Sequence, residues 1–243
     1  RRGLAAAAAM AAIAGLGVVA GPASPAGALV TVATSGTTLT VTLTGAESLD
    51  VSCVGGVVTV NTKTGSPAVP CASFTKITVT GDSAGQTIDG QDLEVSAFAA
   101  KPYIVADLGD GLDTVWSTSR ADNLDLGPGN DRLYLIPGTA DSYLQGGVGT
   151  DEVRIWGTPG ADELVGSSNN TDLALTHVWG GQTRASTLKN FEYVEVYGYA
   201  GNDSLDVSGI TTASSIKNAD LYGGEGDDIV RGPQFDADIF AGP

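Results

Sequence analysis

Turns closed by an aspartate recur along this chain at a nearly fixed interval, and each is followed two residues later by an apolar side chain. The series Asp113, Asp122, Asp131, Asp141, Asp151 and Asp162 advances by 9, 9, 10, 10 and 11 residues. Asp203, Asp228 and a partial copy at Asp238 extend it. In all nine cases the residue two beyond the aspartate is apolar: Val115, Leu124, Leu133, Tyr143, Val153, Leu164, Leu205, Val230 and Phe240. At a background of 42% hydrophobic residues, more than half of these positions should have been polar. Such a short unit holds one turn and one minimal strand, whose single apolar side chain faces a core because side chains alternate along a strand. Units of this kind bury that face only against neighbouring copies.

The best-formed turns are rich in glycine: Leu108-Gly109-Asp110-Gly111-Leu112-Asp113, Leu126-Gly127-Pro128-Gly129-Asn130-Asp131, Gly146-Gly147-Val148-Gly149-Thr150-Asp151, Gly198-Tyr199-Ala200-Gly201-Asn202-Asp203 and Gly223-Gly224-Glu225-Gly226-Asp227-Asp228. Glycine tolerates positive φ, so a Gly-x-Gly turn folds tightly and aims backbone carbonyls inward as hard oxygen ligands, to which the aspartate adds charge. Two successive units make one coil of about 18 residues. Asp113, Asp131 and Asp151 then stack along one edge, and Asp122, Asp141 and Asp162 along the other, where turns such as Ser117-Thr118-Ser119-Arg120-Ala121-Asp122 are poorer in glycine. A cation between stacked turns draws oxygens from two coils, which meets the six to eight ligands that calcium takes. An EF-hand does not fit, because Asp107-Leu108-Gly109-Asp110-Gly111 has glycine where that loop needs side-chain oxygens.

The stretch Gly223 to Val230 satisfies the nonapeptide GGxGxDxUx, and residues 101 to 240 resemble the hemolysin-type calcium-binding (RTX) repeat family. The resemblance implies a parallel β-roll with Ca2+ held between adjacent coils. It implies as metal-binding residues Asp113 with Gly109 and Gly111, Asp131 with Gly127 and Gly129, Asp151 with Gly147 and Gly149, Asp203 with Gly201, Asp228 with Gly224 and Gly226, and also Asp162. It carries over poorly to Asp122 and Asp141. The spacings of 10 and 11 imply irregular coils, and the chain departs from many family members in carrying an N-terminal export signal.

That signal is read from Arg1 and Arg2, the apolar run Leu4 to Ala20, and the small-residue site Ala26-Gly27-Ala28. Removing residues 1–28 leaves 10 Lys and Arg against 28 Asp and Glu, a net charge of −18. Nucleic acid and anionic membrane are excluded as partners of such a chain, no membrane span is expected after cleavage, and cations are the implied ligands. Mutual repulsion of the carboxylates predicts that metal binding is coupled to folding. Cys53 and Cys71, the only cysteines, predict a disulfide in an exported protein. The run Ala241-Gly242-Pro243 just after a partial repeat leads us to expect further C-terminal sequence beyond it.

The fold class expected is all-β: a β-rich region over 29–100, then a parallel β-roll or β-helix solenoid over 101–243. Thr or Ser alternates with Val, Leu or Ile in Leu39-Thr40-Val41-Thr42-Leu43 and Ile77-Thr78-Val79, which marks strands. Between about 166 and 197 the short period lapses, and Leu173 to Trp179 and Phe191 to Val196 read as longer strands, either a wider coil or an inserted hairpin.

No catalytic residue is assigned. Gly81-Asp82-Ser83-Ala84-Gly85 satisfies GxSxG, but that elbow needs a helix directly after it and strand-like sequence follows. The lone His177 sits in a strand pattern and lacks companions for a zinc site. Trp116, Trp156 and Trp179 are read as sheet packing before a carbohydrate platform. Asn169-Asn170-Thr171 and Asn202-Asp203-Ser204 match the glycosylation sequon. The expectation is a secreted, extracellular calcium-binding module, structural or interacting with a cell-surface or polysaccharide partner. The alternative is the calcium-dependent scaffold of an exported hydrolase or polysaccharide-active enzyme.

Overall fold

The computed structural model describes residues 29–61, 63–65, 68–136, 142–179 and 181–243, so the expected export signal and the turn ending at Asp141 lie outside the described residues. Alternation of hydroxyl and aliphatic side chains builds the first hairpin, β1 (Leu29–Ser35) and β2 (Thr38–Thr44), which pairs Val30 with Leu43 and Val32 with Val41. β3 (Ser48–Leu49) precedes a small antiparallel meander of β4 (Val51–Val54), β5 (Val57–Val60) and β6 (Lys63–Thr64). The expected disulfide joins Cys53 of β4 to Cys71.

The chain then runs through β7 (Lys76–Thr80), β8 (Thr87–Asp89), β9 (Tyr103–Asp107), β10 (Thr114–Trp116) and β11 (Asn123–Asp125). β12 (Pro128–Gly129), β13 (Arg132–Leu135), β14 (Ser142–Gln145), β15 (Val148–Gly149) and β16 (Glu152–Trp156) follow. Successive strands alternate between two sheets: β7, β9, β11 and β14 pair in parallel in one, and β8, β10, β13 and β16 in the other. β12 and β15 pair separately in the turns. Both sheets run without a break across residue 100, since β7 pairs with β9 and β8 with β10.

The interrupted stretch is an antiparallel insertion. β17 (Glu163–Asn169), β18 (Asp172–Trp179) and β19 (Gln182–Lys189) fold back on one another, and β19 docks in parallel on β14. β20 (Tyr193–Ala200) then returns beside β16 as if nothing had intervened. The alternation resumes with β21 (Ser204–Gly209), β22 (Asn218–Glu225), β23 (Ile229–Arg231) and β24 (Ala237–Phe240). The result is an 11-stranded and an 8-stranded sheet, mostly parallel, neither closed on itself. Among the described residues no helix is long and apolar enough to cross a membrane.

The apolar residues of the period form the core. Ile88, Val115, Leu133, Val153, Val194 and Ala219 occupy matching positions on neighbouring strands, and each is at most 1% exposed. Burying a Val, Leu or Ile side chain in such a column stabilises by about 1.5–3 kcal/mol. Two positions of the series depart from the expectation. Tyr143 is 42% exposed, because in β14 it is Leu144 that pairs with the core residue Leu124. Phe240 is 52% exposed, because Asp238 is no turn residue: it lies inside β24 opposite Asp220 and sends Phe240 to the outer face. There Phe240 stacks on Tyr222, which stacks on Tyr197, at 5.0 and 4.7 Å between ring centres.

Candidate functional site

In the turns that begin with glycine the aspartate comes back over that first residue. A Cβ built on Gly146 would lie 2.8 Å from Asp151 Oδ2, and one on Gly223 would lie 2.5 Å from Asp228 Oδ2, so no larger side chain fits there. The next glycine must take positive φ, 121° at Gly147, and a side chain there would overlap the carbonyl of Gly127 in the preceding turn. Gly149 likewise covers the carbonyl of Gly129, and Gly129 that of Gly111. The glycine turns therefore pile their carbonyl oxygens in files, tied by Gly111 N–H to Pro128 O at 2.9 Å and Val148 N–H to Gly127 O at 3.2 Å.

The aspartates stack as expected along one edge, through a specific bond. Asp131 Oδ1 accepts the N–H of Asp113 at 2.7 Å, and Asp151 Oδ1 accepts that of Asp131 at 2.8 Å. The row has ends: Asp113 Oδ1 accepts the N–H of Gln86, and Asp151 donates its N–H to Glu192 Oε2 at 2.8 Å. A second row is Asp162, Asp203 and Asp228, in which Asp203 Oδ1 accepts from Asp162 N–H and Asp228 Oδ1 from Asp203 N–H, at 2.8 and 2.9 Å. Asp162 thus stacks on Asp203 and not in file after Asp122, because β18 and β19 stand between β14 and β17. Asp141, expected in that file, lies outside the described residues.

The second carboxylate oxygen divides these residues. Oδ2 of Asp113, Asp131, Asp151, Asp203 and Asp228 is buried with no hydrogen-bond donor. Burial, with the charge of the next acid in the row as a lesser cause, pushes Asp113 and Asp131 up to about 7 and Asp151 and Asp203 up to about 6. In two turns that carry a threonine four residues before the aspartate the oxygen is held. Asp122 Oδ2 accepts the N–H of Thr118 at 2.6 Å and its Oδ1 the Thr118 hydroxyl at 2.9 Å. Asp162 receives the same pair from Thr158, N–H at 2.5 Å and hydroxyl at 3.0 Å. Of the predicted metal residues, Asp162 is therefore the one whose oxygens already have donors. Neither threonine was singled out from the sequence, although each stands four residues before its aspartate, where the turns of Asp113, Asp131, Asp151, Asp203 and Asp228 carry glycine or Tyr199.

Carboxylate oxygens left without donors, beside files of carbonyl oxygens, suit a hard cation that takes oxygen ligands. Among the described residues no three or more His, Cys, Asp or Glu side chains gather as a metal-binding group, so backbone carbonyls would have to complete the shell. The other residues of interest are placed as follows. His177 is buried and lies against Trp179, with ring centres 4.0 Å apart. Trp116 stacks face to face on Tyr134 at 4.4 Å. Ser83 is followed by the strand β8 and not by a helix. A groove of about 620 Å³ on the outer face of the 8-stranded sheet is lined in part by Asp113, Asp131, Glu152, Arg154 and Glu195. In it Arg154 pairs with both Glu152 and Glu195.

No family model matches the chain, and no curated protein or solved structure matches it.

Proposed function

We propose that this chain is a secreted calcium-binding protein of RTX type, in which Ca2+ held between glycine turns couples metal binding to the folding of a parallel β-roll over residues 101–243. The observation that carries the reading is the set of five buried carboxylate oxygens without a proton donor, all in glycine turns. Strands that alternate between two parallel sheets, with partner aspartates 18 or 20 residues apart, support the β-roll. Asp113, Asp131 and Asp151 with Gly109, Gly111, Gly127, Gly129, Gly147 and Gly149 would hold metal along one edge. Asp203 and Asp228 with Gly201, Gly224 and Gly226 would hold it along the other. Bound calcium supplies positive charge to oxygens that the chain leaves without donors, and crosslinks adjacent turns. The Arg-led apolar run of residues 1–28 and the Cys53–Cys71 disulfide support an extracellular site of action as a structural or interaction module.

The test is a calcium titration of residues 29–243 from chelator to about 10 mM, a range that brackets extracellular calcium modules, read by far-ultraviolet circular dichroism and calorimetry. A gain of β signal with calcium, absent with magnesium, is the expected result. Absence of both a spectral change and binding heat overturns the reading.

A further inference from the structure

One turn upstream of the aspartate rows has their architecture without their aspartate. Gly81-Asp82-Ser83-Ala84-Gly85-Gln86 leads into Thr87-Ile88 as Gly146 to Asp151 leads into Glu152-Val153, and Ile88 stands in the column of core residues between Leu49 and Val115. Gln86 donates its N–H to Asp113 Oδ1, as Asp113 does to Asp131. Its side-chain oxygen lies against the Cα of Gly81, where a Cβ would overlap it, and is buried without a donor. That is the place of Oδ2 in the aspartate turns.

What differs is the group beyond that oxygen. Gln86 Nε2 donates to Asp82 Oδ1 at 3.0 Å, to Gly45 O at 3.3 Å and to Ala84 O. Three oxygens from separate parts of the turn and from the loop after β2 thus converge on one nitrogen with two protons. Convergent carbonyl and carboxylate oxygens are what a hard cation seeks, and a side-chain NH2 offers the same sign of charge at smaller magnitude. Asp82 is completed by the N–H groups of Gly45 at 2.8 Å and Ala84 at 2.9 Å, which hold its carboxyl below the usual range.

We infer that the side-chain amide of Gln86 occupies, in the turn 81–86, a cation site closed by the chain's own atoms, so that this end of the aspartate row holds without metal. The inference rests on the calcium reading for the row that follows, and it assigns that row a fixed start. The coils before β10 are complete in chelator and present Gln86 and its neighbours as the template on which the calcium-dependent turns stack.

Gln86→Glu tests it, because the exchange replaces the NH2 by an oxygen without changing shape and recreates a site of oxygens alone. Calorimetry and thermal melts of residues 29–243 are compared with the unaltered sequence. Gln86→Glu is expected to bind one further calcium per chain, to melt roughly 10 °C lower in chelator, and to recover in calcium. An unchanged calcium count with an unchanged melt in chelator overturns the inference, and so does a variant that stays unfolded in calcium. Gln86→Met keeps the shape and removes the donors without adding charge. It is expected to leave the calcium count as it was and to lower the melt equally with and without calcium, and no change in its melt overturns the inference. If the unaltered chain binds no calcium while Gln86→Glu binds one, the proposed function fails and the Gln86 inference stands.

Discussion

The turns Gly146 to Asp151 and Thr158 to Asp162 follow one another in the chain and place the same residue at the same point, a buried aspartate just before a strand. Their carboxylates differ in one respect. Thr158 holds Oδ2 of Asp162 with its own N–H, whereas Oδ2 of Asp151 has no donor. A threonine four residues before the aspartate meets the carboxylate with both its N–H and its hydroxyl, whereas Gly147, held at positive φ, gives Oδ2 of Asp151 no N–H and has no hydroxyl. The glycine turn gains close stacking of backbone on backbone, at Gly147 over Gly127, and leaves its charge to be met from outside. Gln86 shows a third solution, in which the residue in the aspartate's own position carries the donor. On the calcium reading proposed above, dependence on metal is decided turn by turn.

The largest effect is expected in the pH dependence of the chelated protein. Asp113 and Asp131 stand at about 7 in the fold against an ordinary value of 3.8, so the fold binds protons that the unfolded chain releases. Stability in chelator therefore falls as pH rises from about 4 to about 7 and levels above that. Chemical denaturation across that interval reads it directly, and a flat profile would show that these oxygens find donors. Next in size, Asp131→Asn gives the glycine turn a donor of its own. It is expected to raise stability in chelator at neutral pH by about 1–2 kcal/mol while lowering the calcium count, since a buried acceptor is no longer left unmade.

Thr158→Val works in the opposite sense. It removes the hydroxyl that reaches both oxygens of Asp162, at 3.0 and 3.1 Å, and should cost about 1 kcal/mol, equally with and without calcium. A cost that disappears in calcium would move Asp162 back among the metal-dependent residues. The smallest effect is at Tyr199, which stands in the second glycine position of its turn at φ 75°. Tyr199→Gly relieves about 1 kcal/mol of left-handed strain, offset in part by the ring contact with Tyr197 at 6.2 Å, so a melt that rises by a degree or two is expected.

Much of the first aspartate row was legible in the chain. Asp113, Asp131 and Asp151, their glycines and the core residues Val115, Leu133 and Val153 follow from a local pattern of turn and alternation. The signal for Thr118 and Thr158 was also present, as a threonine four residues before the aspartate, and so was the kinship of Gly81 to Ile88 with the repeat. Asp238 misled, because an aspartate inside a strand looks like one that closes a turn until the partner strand is known; Asp220 opposite it removes the ambiguity.

Local physics acts over a few residues: which positions need positive φ, which side chain of a short strand points inward, where an aspartate can follow a turn. All of that is carried by the amino-acid order alone, and it made this an all-β chain of repeating turns. Which aspartate sits on which was decided only by stacking, because the partners are 18, 20, 25 or 41 residues apart. The three inserted strands β17, β18 and β19 put Asp203, and not a residue of the preceding turns, under Asp162. Whether a buried oxygen has a donor is likewise a property of the assembled turn, since a carboxylate is the same in sequence whether a threonine, an amide or nothing faces it.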